Sequence, residues 1–481
     1  MINSNTNEYI NPLIQRYSSS RMSFLFSSDF KFTTWRKLWI ALAECEMQLG
    51  LPISEKQIEE MKSQIENIDY ELAQKFEAKT RHDVMAHVHT FGTACPNAKS
   101  IIHLGATSAF VGDNTDLIQI HKASTLLLQR MGPLFKTLRD FALTYRNLPT
   151  LGFTHFQPAQ CTTVGKRASL WAYDLLLDFE ALTNFITNLP FRGVKGTTGT
   201  QASFLNLFNN DHEKVKKLDL MVTEKMGFTK LFPVTGQTYT RKIDAQIASI
   251  LSGVAQSLHK LANDIRLLQH LKEIEEPFEK KQVGSSAMAY KRNPMRSERL
   301  TAITRFIISL SSSPVMTASE QWFERTLDDS ANKRLSIPQL FLATDAALII
   351  AMDICDGLVV YPNVINQHIK VELPFMATEN IIMEAVKKGG DRQTLHERIR
   401  IHSIEASKMI KQQGQKNDLL ERIIKDDSFN LSKEEMDKIM NINHFIGRAP
   451  QQTVEFVREH MEPLLSRCKK YGFAEKINLN V

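Results

Sequence analysis

Residues 240–271 read TRKIDAQIASILSGVAQSLHKLANDIRLLQHL. Ile243, Ile247, Ile250, Val254, Leu258, Leu261, Ile265 and Leu268 follow one another there in steps of three and four. That spacing lays all eight along one stripe of a helix. A helix approaching thirty residues exceeds the globular average, and helices of that length pack as bundles. The same periodicity recurs at Leu117, Ile120, Leu127, Met131, Leu134, Leu138 and Phe141, where Pro133 predicts a kink. Further helices are expected over about residues 163–188, 297–310 and 331–358. The leucine runs 126–128 and 175–177 fill flanking positions, so more than one helix face must be buried, and subunit association is a natural way to bury it. Alternating strand patterns are almost absent, and the fold class read from the chain is all-α.

Towards the ends, Ser54 with Gln57 and Ser432 with Glu435 form capping-box patterns ahead of shorter helices of mixed charge. Boundaries near residues 107 and 360 divide the chain into an N-terminal helical domain (1–107), a central long-helix bundle (108–360) and a C-terminal helical domain (361–481). A chain of 481 residues with 43% apolar composition supports a large core and about three domains. The formal charge of +6, from 59 basic and 53 acidic residues, is too dilute for a nucleic-acid face but tolerates a substrate with several negative charges. Five scattered cysteines with no CxxC pair argue against a disulfide framework or zinc knuckle. Met1 to Glu8 is polar, unlike a signal peptide, and the most apolar stretch, 341–360, is interrupted by Asp345, Asp353 and Asp356. That stretch reads as a core helix and not as a membrane span, and the cytoplasm is the expected compartment.

The chemistry-bearing residues lie in the breaks between helices. Residues 284–294, GSSAMAYKRNP, put two hydroxyls, two cations and an amide into eleven positions, with Pro294 stopping any helix at Asn293. They fit a loop that closes over an anion, although composition alone favours a solvated linker. Residues 152–160, GFTHFQPAQ, place His155 among hydrogen-bonding groups, just ahead of a helix expected to start after Pro158. His155 is either a proton donor and acceptor near neutral pH or a structural histidine. In residues 81–89, RHDVMAHVH, the histidine spacings of five and two put no three on one helical face, which disfavours zinc. His396-Glu397 lacks the second histidine of HExxH, since Arg400 stands there. Residues 193–201, GVKGTTGTQ, lack the P-loop order, although their backbone amides could meet a carboxylate. In residues 322–334, WFERTLDDSANKR, Arg325 and Arg334 bracket Ser330, an arrangement that suits an oxyanion or simply a helix start with surface ion pairs.

Taken together, and in this order along the chain, the segments resemble a known family. Residues 284–294 resemble the signature loop of the fumarase/aspartase superfamily, GSSxMPxKxNP. Residues 81–87, 105–108 (GATS), 152–158, 195–201 and 322–332 resemble, within it, the adenylosuccinate lyases of animal type. The resemblance implies a three-domain helical fold, a homotetramer with shared active sites, no metal or organic cofactor, and release of fumarate from adenylosuccinate and from SAICAR. Another fumarate-releasing member, such as an argininosuccinate lyase, is the alternative. It also implies roles. Ser285 matches the general base, with its neighbour Ser286 excluded only by the family match, and His155 the general acid. Glu298 would orient His155, and Lys291 and Asn293 would meet the succinyl carboxylates. Arg16, Tyr17, Arg325, Ser330 and Arg334 match positions around the phosphate. Arg81, His82, Asp83, Thr107, Ser108, Thr154, Gln237 and Arg299 match the remaining substrate contacts. The family's loop proline is replaced by Ala289 here, which leaves the loop less constrained.

Overall fold

The structure is a computed structural model and describes residues 9–279, 287–288 and 290–477. Ser285, Ser286 and Ala289 lie outside the described residues. Helix takes 69% of the chain and strand 4%, so the all-α class holds. The elements that position the site are α1 (Ser28–Gln48), α2 (Asp83–Ala94), α3 (Ser108–Thr144), a hairpin of β1 (Pro149–Thr154) and β2 (Gln157–Thr163), and α4 (Val164–Asn188). They continue with α5 (Lys242–His270), β3 (Ile274–Glu275), α6 (Met295–Leu310), α7 (Asp328–Asp356) and β4 (Val359–Val360), which pairs antiparallel with β3.

The period-3.6 stripe of α5 turns inward as read from the sequence. Seven of its eight residues are buried, while Ile250 is half-buried and its neighbour Leu251 takes the inner position. Around α5 pack α4, α6 and α7, and α3 packs on both α4 and α7. Residues 341–350 of α7 are buried on every side, as expected of a helix at the centre of a bundle. By length and composition α7 could cross a membrane, but 78% of its most apolar window is buried inside the protein. The three aspartates that interrupt it are each paired. Asp345 meets Arg130 Nε at 2.6 Å, Asp353 meets Arg296 Nε at 3.0 Å, and Asp356 meets Lys476. Asp345 is fully buried, and a buried carboxylate is normally kept by such a partner. Both capping boxes, at Ser54 and Ser432, are present.

Apolar residues from Leu13 to Cys468 form one core, and a second core of residues 377–439 includes Ile381, Leu395, Ile423 and Phe429.

Two readings are amended. The helix expected after Pro158 does not follow it directly. The chain instead forms the β1–β2 hairpin, and α4 starts at Val164 with Thr163 as its cap, its hydroxyl accepting from Lys166 N at 3.1 Å. The amides of residues 193–194 are not free for an outside carboxylate, because they meet the chain's own side chains, one of them a carboxylate. Gly193 N donates to Asn114 Oδ1 at 3.0 Å and Val194 N to Asp219 Oδ1 at 2.8 Å, and Lys195 pairs with the same Asp219.

Helix α1 carries an exception to the pairing rule. Glu46 is fully buried, and neither carboxylate oxygen has a hydrogen-bond partner among the described residues. Burial pushes its pKa up to about 9. Its folded pKa therefore lies above the unfolded value of about 4.3. Between the two, the native state keeps a proton that the unfolded chain has released, so stability falls as pH rises through that window. Glu46→Met is expected to stabilise the protein by an amount that grows with pH, on the order of several kcal/mol at pH 8. Unfolding curves of the two proteins at pH 5 and pH 8 check this, and an equal difference at both values contradicts it.

Candidate active site

Residues that the sequence singled out converge first on a cavity of about 280 Å³ between α1, α2, α3 and α7. Asp83 in the first turn of α2, Ser108 at the start of α3, Arg325, and Ser330 and Arg334 of α7 all line it. Helix N-termini suit such a place, because their free amides and dipole favour anions. Arg334 Nη2 reaches Asp83 Oδ2 at 3.3 Å. His82 caps α2, its Nδ1 accepting from Met85 N at 3.3 Å. The neutral ring then carries its proton on Nε2, which donates to Ser108 Oγ at 3.2 Å. Thr107 is the N-cap residue of α3 but makes no side-chain cap bond, and Arg81 ends the preceding helix in a left-handed conformation, φ 53°. Gln237 accepts from Arg325 through its side chain, and its backbone N donates to Glu324 O at 2.9 Å. The two segments approach closely because residue 236 is glycine. A Cβ there would lie 2.4 Å from Glu324 O. Arg16 and Tyr17 belong to a short helical turn (Leu13–Tyr17) that packs on α7, with the Arg16 guanidinium 5.9 Å from the Tyr17 ring centre.

Beneath the cavity lies a charged network that the sequence did not reveal. Arg241, 1% exposed, meets Asp113 at 2.9 Å, Asp329 at 2.8 Å and Asp244 at 3.8 Å. Lys333 meets Asp113 at 3.1 Å and Asp116 at 2.5 Å. Burial pushes the Asp113 carboxyl upward, but the neighbouring Arg241 and Lys333 outweigh it and hold it well below the carboxylate range. Asp244, with burial less fully offset by Arg241, is pushed up to about 6. These groups carry the floor on which Ser330 and Arg334 stand.

A second group sits at the tip of the hairpin. Thr154 pairs with Gln157, so His155 and Phe156 are the two turn residues, and their φ values are 52° and 57°. Two positive φ angles are the requirement of a type I′ turn, normally met by Asn-Gly. A histidine and a phenylalanine there hold about 1–2 kcal/mol each of backbone strain, as functional sites do. Thr154 and His155 are both exposed. Gly152 lets the strands close, since a Cβ on it would meet Gln160 O at 2.6 Å.

The third group flanks residues 280–289. Glu276 caps α6: its carboxylate accepts from Arg296 N at 2.9 Å, Ser297 N at 2.8 Å and Ser297 Oγ at 2.8 Å. Gln269 Nε2 donates to Arg292 O at 3.0 Å, and Arg292 meets Glu275 at 3.3 Å. The segments entering and leaving that stretch are thereby tied together, which fixes Lys291 and Asn293 ahead of Glu298 and Arg299 in the first turns of α6. Neither this group nor the hairpin tip lines the cavity described above. The histidines of residues 81–89 part company: His87 is buried against Phe32, ring centres 3.7 Å apart, while His82 caps α2. No cluster suited to a metal ion occurs among the described residues.

The chain matches the family described as Lyase over residues 21–308 and the one described as Adenylosuccinate lyase C-terminus over residues 374–456. It is 53% identical to the adenylosuccinate lyase of Saccharomyces cerevisiae, covering 98% of this chain and 99% of that one. The chain belongs to the adenylosuccinate lyase family. It is a lyase, and the expectation drawn from its signature segments holds. The adenylosuccinate lyase of Schistosoma mansoni is 46% identical over 96% of this chain and 97% of the relative. Among solved structures, a 3-carboxy-cis,cis-muconate lactonizing enzyme from Pseudomonas putida shares the fold with a TM-score of 0.79 at 21% identity, over 96% of this chain and 100% of that one.

Proposed function

We infer that the chain cleaves adenylosuccinate to AMP and fumarate, and SAICAR to AICAR and fumarate, in purine nucleotide biosynthesis. The observation that carries this reading is full-length identity of about half to curated adenylosuccinate lyases. The cavity that gathers Asp83, Ser108, Arg325, Ser330 and Arg334 supports it. In the proposed reaction Ser285 takes the proton from the carbon beside the succinyl carboxylate. His155 protonates the departing purine nitrogen, held by Glu298. The carbon acid is weak, and its anion places a second negative charge on the carboxylate, so Lys291 and Asn293 are needed as placed donors. A serine alcohol becomes a base only beside positive charge in a water-poor site, and Lys291 supplies that charge.

The exposed tip at His155 and the separate positions of the three groups fit sites completed between subunits of a homotetramer. Leu170, Tyr173 and Leu177 form an exposed apolar row on α4, and Leu267 of α5 and Phe306 of α6 are exposed as well. Such rows call for a partner surface. We place the enzyme in the cytoplasm, with domain divisions near residues 107 and 360. The test is fumarate release from adenylosuccinate, SAICAR and argininosuccinate. Turnover of the first two and not the third is expected, and turnover of argininosuccinate alone overturns the reading.

A further inference from the structure

Lys31 of α1 lines the same cavity as Ser330 and Arg334. Its ammonium lies 5.0 Å from the ring centre of Phe32 and 4.8 Å from that of Trp35. Ring faces hold a cation but neutralise none of its charge. The cavity's other cations have firmer partners: Lys333 has Asp113 and Asp116, Arg334 has Asp83, and Arg325 has Gln237. Among the described residues Lys31 makes no side-chain hydrogen bond or ion pair. Burial lowers its pKa, with nearby Arg334 adding to that effect and Asp83 and Asp116 opposing it. A half-buried ammonium that has given up water without gaining a counter-anion is a site waiting for one. The rings beneath it also fix its long stem, so less side-chain freedom remains to be lost on binding.

We propose that Lys31 is a direct ligand of the substrate's phosphate group, contributed by the N-terminal helix α1 and acting beside Arg325, Ser330 and Arg334. This rests on the reading of the cavity as the nucleotide site. The position of Lys31 next to Arg334 assigns it to the phosphate and not to the succinyl carboxylates. Lys31→Met keeps the stem on the rings and removes the charge.

The test titrates AMP, adenosine and fumarate calorimetrically into the full-length protein, Lys31→Met and Lys31→Arg, with melting curves to confirm folding. Lys31→Met is expected to weaken AMP roughly tenfold or more, as for a lost charge-assisted bond. Adenosine and fumarate should bind it unchanged. KM for adenylosuccinate should rise with kcat nearly constant, and Lys31→Arg should recover most of the AMP affinity. Should Lys31→Met fail to fold, Lys31→Gln takes its place. Unchanged AMP affinity, or a loss falling on adenosine or fumarate, overturns the proposal. If the unsubstituted protein binds AMP no better than adenosine, the nucleotide reading of the cavity falls, and the role of Lys31 with it.

Discussion

His155→Asn is expected to lower kcat by roughly a hundred- to ten-thousand-fold, the share that general acid catalysis supplies, while leaving folding intact. The side chain is exposed at the hairpin tip, so its removal takes nothing from the core. Asparagine also accepts a left-handed backbone more readily than most residues, which preserves the turn at φ 52°. Loss of rate without loss of melting temperature is therefore the signature. Ser285→Ala is expected to behave in the same way, on the strength of the family match. If each active site draws these two residues from different subunits, mixing the two inactive variants under conditions of subunit exchange restores part of the activity. Near-normal turnover in either variant removes that residue from the proposed chemistry, and the absence of any recovery on mixing counts against shared sites.

Arg241→Met is expected to destabilise the protein by about 3–5 kcal/mol, the cost of breaking a buried ion pair from one side. The guanidinium touches Asp113 and Asp329 within 2.9 Å and stacks 4.3 Å from the Tyr239 ring centre. Asp113 also accepts from Tyr239 N at 2.9 Å, so the network holds backbone as well as side chains. Without Arg241, Asp113, Asp116, Asp244 and Asp329 are left with the charges of Lys333 and Arg192. The loss should be largest at alkaline pH and smaller near pH 5, where the aspartates can relieve the imbalance by taking up protons; Asp244 is already pushed up to about 6. Urea unfolding at pH 8 and pH 5, with the exposed Lys242→Met as control, measures both effects. A cost under about 1 kcal/mol at pH 8, the size of a surface pair, would show that the floor of the cavity is held by other contacts.

The long helices were legible because burial of one stripe imposes a period that no strand shares, and α5 shows how closely: only Ile250 yields its place, to Leu251. The hairpin was not legible, because its turn carries His155-Phe156 in place of Asn-Gly and its strands lack strict alternation. The role of the 193–194 amides was hidden for another reason. Their partner Asp219 stands 25 residues beyond Val194, and nothing local marks it. For the cavity, Arg325, Ser330 and Arg334 could be read as an oxyanion motif, and the other expected residues came through the family resemblance. Asp113, Arg241 and Lys31 escaped both routes. Each looks like an ordinary charged residue of a helix, and only the packing of three distant helices makes it part of a site.

The pairing of Asp345 with Arg130 reaches further than the centre of α7. The other carboxylate oxygen of Asp345 accepts from Ser19 N at 2.7 Å, and Arg130 Nη1 donates to Glu475 O at 3.1 Å. Segments more than four hundred and fifty positions apart in sequence are thus clasped by a single pair of side chains. The entropic cost of closing so long a circuit grows only as the logarithm of its length, by about 0.6 kcal/mol for each doubling. The segments at Ser19 and Glu475 are consequently coupled: loosening either one strips a partner from the clasp that holds the other.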